Sequence, residues 1–127
     1  FDYENLLRDS YKIQTSVIRS EFQSAFERAS LLAREDRANL VEMTLNNEEI
    51  YIDSKSEIGN VHEVINCSQI GENLKIAFNS RYILEGIKIM ETDNIILNLT
   101  DFINPCIIKE EDNKDYIYLV LPVRLAQ

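Results

Sequence analysis

The feature that most constrains this chain is the order in which its hydrophobic periods succeed one another. Residues 12–18 set Ile13, Thr15 and Val17 against Lys12, Gln14 and Ser16, the period-two signature of a half-buried strand. From Ser20 to about Arg34 the period changes. Phe22, Ala25, Phe26, Ala29, Leu32 and Ala33 recur at i, i+3, i+4 and i+7 and so share one face of a helix. Ser20 with Gln23 three residues on fits a capping box at its start. Three strand-like runs follow, Leu40 to Leu45, Ile50 to Asp53 and Val61 to Ser68, separated by the Asn46-Asn47 turn and the polar stretch SKSEIGN. Then the order begins again. Leu74 to Phe78 reads as a strand, and Asn79 or Ser80 caps a helix with Ile83, Leu84, Ile87 and Met90 on its apolar face. Ile95 to Leu99, Cys106 to Lys109 and Tyr116 to Leu121 read as the last three strands.

The order is β-α-β-β-β twice over, with the second copy about 60 residues after the first, which predicts internal duplication. Ser20 and Ser80 open the two helices, Ile18 and Phe78 end the strands before them, and Phe22 and Tyr82 sit in the first turns. The halves fall at about residues 11–69 and 74–122. Two such halves predict an α+β fold with antiparallel sheets, strands joined into a continuous curved layer, and both helices on one face.

Composition narrows the function classes. With 127 residues and 45% of them hydrophobic, one domain can bury a sizeable core without metal or disulfide support. Thirteen Lys and Arg against 22 Asp and Glu leave a formal charge of -9, which opposes adhesion to nucleic acid or to an anionic membrane, so any DNA contact must be local. Cys67 and Cys106 lie far apart in apolar, strand-like surroundings, as buried free thiols in a reducing cytosol do; a single disulfide between them is the alternative. No apolar run approaches the ~20 residues that span a bilayer, and no signal-peptide pattern is visible. A soluble, cytoplasmic protein is expected. The chain starts at Phe1 rather than Met, and FDYENLLRDS (residues 1–10) fits neither period, so it reads as a connector from something upstream.

Candidate functional residues are few. At about 100° per residue Leu31 points away from the helix stripe and is expected to be exposed. Tyr118, Leu119, Val120 and Leu121 are apolar on both strand faces, and Val123 and Leu125 continue past Pro122, which has no N–H and should stop regular pairing. Such a tail is either a buried last strand or an exposed docking surface. Arg28, Arg81 and Lys88 lie on the polar helix faces with Glu27 and Glu85, as a solvated face or as a diluted phosphate-binding field. His62 reads as a surface or edge histidine. The cysteines have no CxxC or Cys/His spacing for zinc, and the acidic loop from Glu110 to Asp115 has no EF-hand glycine, so it reads as a solvated hairpin. Three scattered glycines make no phosphate loop, and no cofactor is expected.

Three stretches carry a family resemblance. FERASLLAREDRANLV resembles the first helix and following strand of bacterial DNA sliding clamps, the beta subunits of DNA polymerase III. IAFNSRYILEGI is similar to their second helix, and LVLPVRLAQ to their Pro-x-Arg ending. The resemblance covers essentially the whole chain and implies the DNA clamp fold, with residues 11–127 as the third of a protomer's three domains. It also implies a homodimeric six-domain ring around duplex DNA, and no catalysis. The tail would line a groove for short linear peptides of the polymerase III catalytic subunit, the clamp loader and repair proteins. Carried over, that groove uses Leu6, Asn79, Tyr82, Ile103, Pro105, Leu119, Val120, Leu121, Pro122, Val123 and Arg124. Leu31 and Leu32 fall where the family places its contact between protomers, and Arg28, Arg81 and Lys88 would face DNA. Two rivals stand beside this reading. One is a free-standing peptide-binding module without a ring; the other is a small α+β enzyme, which would need convergent ionisable groups around an apolar pocket.

Overall fold

The computed structural model describes residues 11–33, 39–113 and 116–124. Its elements follow the expected order, with one addition. The first half contains β1 (Ile13–Ile18), α1 (Arg19–Ala33), β2 (Leu40–Asn46), β3 (Glu49–Ser56) and β4 (Gly59–Asn66). A short strand the pattern did not announce, β5 (Ser68–Ile70), precedes the second half. That half contains β6 (Leu74–Asn79), α2 (Ser80–Ile87), β7 (Asn94–Leu99), β8 (Cys106–Glu110) and β9 (Ile117–Val120).

The two halves do not make one sheet each. In one sheet the strand order is β5-β1-β7-β8-β9, and in the other it is β4-β3-β2-β6. Each half therefore lends its first strand to the three-stranded meander of the other. The registers match: β1 runs antiparallel to β7 from Ile13↔Leu99 to Ile18↔Asn94, and β6 runs antiparallel to β2 from Leu74↔Leu45 to Asn79↔Leu40. The helix starts match too. The first amide of α1, Arg19 N, donates to Asp93 O at 2.8 Å, and the first amide of α2, Ser80 N, donates to Asn39 O at 2.9 Å. Neither half can satisfy its strand edges alone, so a single core results. Phe22 and Phe26 of α1, Met43 and Ile52 of one sheet, Ile83 and Ile87 of α2, and Leu97 and Ile108 of the other sheet all belong to it.

The helices lie against each other, with Ser80 Oγ donating to Ser30 Oγ at 3.2 Å in the buried space between them. Ser54 Oγ donates to Ala29 O at 2.8 Å and ties α1 to β3. The expected continuous layer is instead two sheets, joined where the chain crosses from one to the other. After β4 it passes through Cys67 and pairs with β1 as β5, Ser68 opposite Ser16. After β9 it passes through Leu121 and Pro122, and Val123 N donates to Ala77 O of β6 at 2.8 Å.

Several local expectations need correction. The capping box is absent because α1 already starts at Arg19, which puts Ser20 inside the helix, and Gln23 Oε1 accepts from Arg19 Nη1 at 3.3 Å rather than closing a box with Ser20. Arg19 Nε reaches Thr92 O at 2.8 Å, so this residue links the start of α1 to the second half. SKSEIGN is mostly hairpin, since β3 and β4 stay paired to Ser56↔Gly59. Cys106 is buried and its thiol is pushed up to about 12 by burial, but Cys67 is only half-buried, with Sγ 3.5 Å from Asn47 O. Both thiols are free.

Glu110 is a further correction, because it does not belong to a solvated hairpin. It ends β8, is 8% exposed, and turns inward: Oε2 accepts from Glu91 N at 2.8 Å and Thr92 N at 3.1 Å, and Oε1 accepts from Asn113 Nδ2 at 3.0 Å. The Glu91 amide is the main reason its pKa lies below the ordinary 4.5; burial opposes this, and the Thr92 and Asn113 donors assist. A carboxyl depressed on folding contributes stability above its unfolded pKa and loses it as pH falls through the folded value. Glu110→Ala should therefore cost about 2 kcal/mol near neutral pH and less at an acid pH below the folded carboxyl's pKa. Denaturant unfolding at both pH values checks this; an equal loss at both would show that the carboxylate charge is irrelevant.

Candidate docking groove

The tail behaves as a proline at that position requires. β9 pairs with β8 as far as Val120↔Cys106, and then the chain leaves the sheet. Pro122 has no N–H to give a ladder, and only Val123 regains a partner, across the seam in β6. A strand end that turns out of its sheet cannot fold both faces into the core. Val120 is 2% exposed, whereas Leu121, next in sequence, is 67% exposed.

Two adjoining depressions follow from this geometry. The first, about 520 Å³, runs from Asn79 and Tyr82 at the start of α2 to Tyr118 and the tail from Leu119 to Val123. The second, about 500 Å³, lies between Lys75 to Ala77 of β6 and the Phe102-Ile103 loop, with Val123 and Arg124 as its other wall. Val123 lines both, so together they make one groove along the seam.

Local structure fixes its walls. Asn79 is the N-cap of α2, its Oδ1 accepting from Arg81 N at 3.0 Å, which fixes the side chain and leaves its amide N–H groups to the groove. Tyr82 follows in the first turn and stays exposed. Tyr118 sits directly on Gly86, where an added Cβ would lie 2.1 Å from ring carbon Cδ2. Glycine normally weakens a helix interior by about 1 kcal/mol, but here it admits the ring that forms the groove wall. Burial raises the Tyr118 phenol pKa, with the nearby Glu85 charge adding to it. Gly86→Ala is expected to lose about 2 kcal/mol of stability despite the better helix propensity of alanine. Thermal unfolding checks the sign, and a gain in Tm would mean that the ring moves aside freely.

Of the residues expected in the groove, Asn79, Tyr82, Leu119, Val120, Leu121, Pro122 and Val123 line the first depression, and Ile103, Val123 and Arg124 the second. Pro105 is buried and lines neither. Leu6 and the residue 1–10 connector lie outside the described residues. Phe102 and Lys75 were not anticipated as groove residues, and Tyr118, singled out in the apolar tail, was not among the residues carried over to the groove. A glycine inside the periodic run Ile83-Leu84-Ile87 was the signal for the close approach of Tyr118; Phe102 carried none beyond an apolar residue in a turn.

Elsewhere, Leu31 is 62% exposed on α1, and Leu32 is half-buried. Arg28 donates to Glu63 Oε1 of β4 at 2.8 Å, and this bond raises its pKa. Its charge is therefore shared with a carboxylate. Arg81 on α2 and Lys88, the C-cap residue just past its end, are exposed and have no ion pair among the described residues. His62 lies on edge strand β4, bonded through Nδ1 to Asp53 and beside the Tyr51 ring. The perturbed carboxyls line neither depression: Asp101 is held by amides of its own loop and Glu110 by amides of the loop after α2. Among the described residues no group of three or more His, Cys, Asp or Glu is placed to hold a metal ion, and no helix is long and apolar enough to cross a membrane.

Two βαβββ halves with exchanged first strands and paired helices define a DNA clamp domain. The family described as DNA polymerase III beta subunit, C-terminal domain, matches residues 5–124, and the chain belongs to it. It is 35% identical to the beta sliding clamp of Staphylococcus epidermidis over 125 residues, which is 97% of this chain and 33% of that protein. Among solved structures it is similar to the DNA polymerase sliding clamp of Bacillus subtilis, with a TM-score of 0.91 and 36% identity over 99% of this chain and 34% of that one. The DNA polymerase III beta subunit of Thermotoga maritima superposes with a TM-score of 0.91 and 31% identity over the same shares. The chain thus spans about a third of the length of the relatives it matches.

Proposed function

We propose that this chain serves as the third domain of a replication processivity clamp, a non-catalytic cytoplasmic protein whose ring encloses duplex DNA and whose groove docks short linear peptides. The supporting observation is the groove itself, an apolar slot held open because the tail leaves β9 at Val120 and regains a backbone partner only at Val123. Leu121, Leu119 and Tyr118 offer apolar contact to a leucine and an aromatic side chain, while the Asn79 amide and the tail backbone orient the polar end of the peptide. The partners are the polymerase III catalytic subunit, the clamp loader and repair proteins. Tethering raises the local concentration of polymerase at the template and needs no tight grip on DNA.

A sequence-independent hold suits the charges. Arg81 and Lys88, with Arg28 drawn toward Glu63 and with Glu27 and Glu85 exposed on the same helices, would give phosphates only a diluted cationic field. Leu31 and Leu32 join protomers in the homodimer. The full-length protein, placed on DNA by its loader, should persist on a closed circle and be lost within minutes once the circle is cut. Equal loss from cut and uncut circles would overturn the ring.

A further inference from the structure

We propose that the second depression selects peptides in which an acidic residue and an apolar residue flank the docked anchors, with Phe102, Lys75 and Arg124 as the selecting residues. This deepens the docking reading and rests on it. The chain carries 22 acidic against 13 basic residues, yet this depression is lined by two cations, Lys75 and Arg124, and by no carboxylate. Between them lies apolar surface held in water: Phe102 is 57% exposed and Ile103 43%.

That surface is set in place before any ligand arrives. Asp101 Oδ1 accepts from Ile103 N at 2.9 Å and Asn104 N at 2.8 Å, and its Oδ2 accepts from Asn104 Nδ2 at 2.8 Å. The nearest acid of the loop is thereby turned onto the loop's own donors, and the turn it makes presents Phe102 outward. Lys75 has one competing partner, Glu42 Oε2 at 3.0 Å, in an exposed pair of the kind that contributes little. Strand β6 adds backbone. It is the edge of its sheet, and Ala77 already directs its C=O outward to Val123. Alternation along the strand turns the N–H and C=O of Lys75 to the same side, where nothing among the described residues pairs with them. An extended peptide running out of the first depression thus meets a main-chain donor and acceptor, an aromatic surface and two cations in one place.

The test uses the full-length protein and synthetic fluorescent peptides carrying one leucine-aromatic anchor, flanked at either end by Asp-Leu, Lys-Leu or Ser-Ser. Anisotropy should show the Asp-Leu flank, at one of the two ends, binding about tenfold tighter than Ser-Ser, with Lys-Leu no better than Ser-Ser. Phe102→Ser with Lys75→Glu should erase that advantage, bringing the Asp-Leu and Ser-Ser peptides to equal affinity. Equal affinity of Asp-Leu and Ser-Ser peptides, both weakened by Leu121→Asp, would overturn the selection and leave the groove standing. If Leu121→Asp changed neither peptide's affinity, groove and selection would fall together.

Discussion

Leu121→Asp should weaken binding of an anchor peptide by about 100-fold, with the fold unchanged. Leu121 is two-thirds exposed, so the substitution costs the free protein little, while in the complex it puts a carboxylate where an apolar ligand side chain must lie. Loss of a buried leucine contact is worth about 2–3 kcal/mol, which is the expected factor. Its neighbour is a poor target, because Val120 is 2% exposed and a charge there would damage the core rather than the groove. Calorimetric titration of wild type and variant measures the effect directly, with thermal unfolding to confirm that the fold survives. Unchanged affinity would remove the tail from the docking site.

If Leu31 joins protomers as proposed, Leu31→Asp should convert the proposed full-length dimer to monomer at micromolar concentration. The residue is 62% exposed in this domain, so the monomer tolerates the change, but a carboxylate in an apolar contact between protomers is unpaired and desolvated. Its penalty adds to the lost leucine burial, and a ring has two such contacts, so the dimer dissociation constant should rise by more than about 100-fold. Sedimentation velocity over a concentration series reads this out. A dimer as tight as wild type would place the protomer contact elsewhere.

Much of the architecture was legible because it is local. The stripe Phe22-Ala25-Phe26-Ala29 and the alternation of Ile13 and Val17 follow from helix and strand geometry alone, and the structure buries each of these residues. The turn of the tail was legible because a missing N–H at Pro122 is a chemical fact of the sequence. What escaped was nonlocal. The exchange of first strands depends on pairings such as Ile13↔Leu99 that no window of sequence contains, and β5 is a strand only because β1 offers it an edge. Glu110 looked like one more acid in an acidic loop until the amides of Glu91 and Thr92 came to face it. Phe102 became notable only when its turn, Lys75 and Arg124 met at one seam. In each case the deciding neighbour lay far along the chain or in backbone geometry, where residue type carries no signal.

The exchange of strands also governs how such a domain is made. During synthesis β1 emerges early and its partner β7 late, so neither sheet can close until most of the domain has left the ribosome. Until then β1 and the edge of β2 present unmatched hydrogen-bonding groups beside apolar side chains, the combination that favours misassociation. Folding should accordingly be slow for the domain's size and concerted rather than stepwise, with the nascent first half kept from aggregating by chaperones.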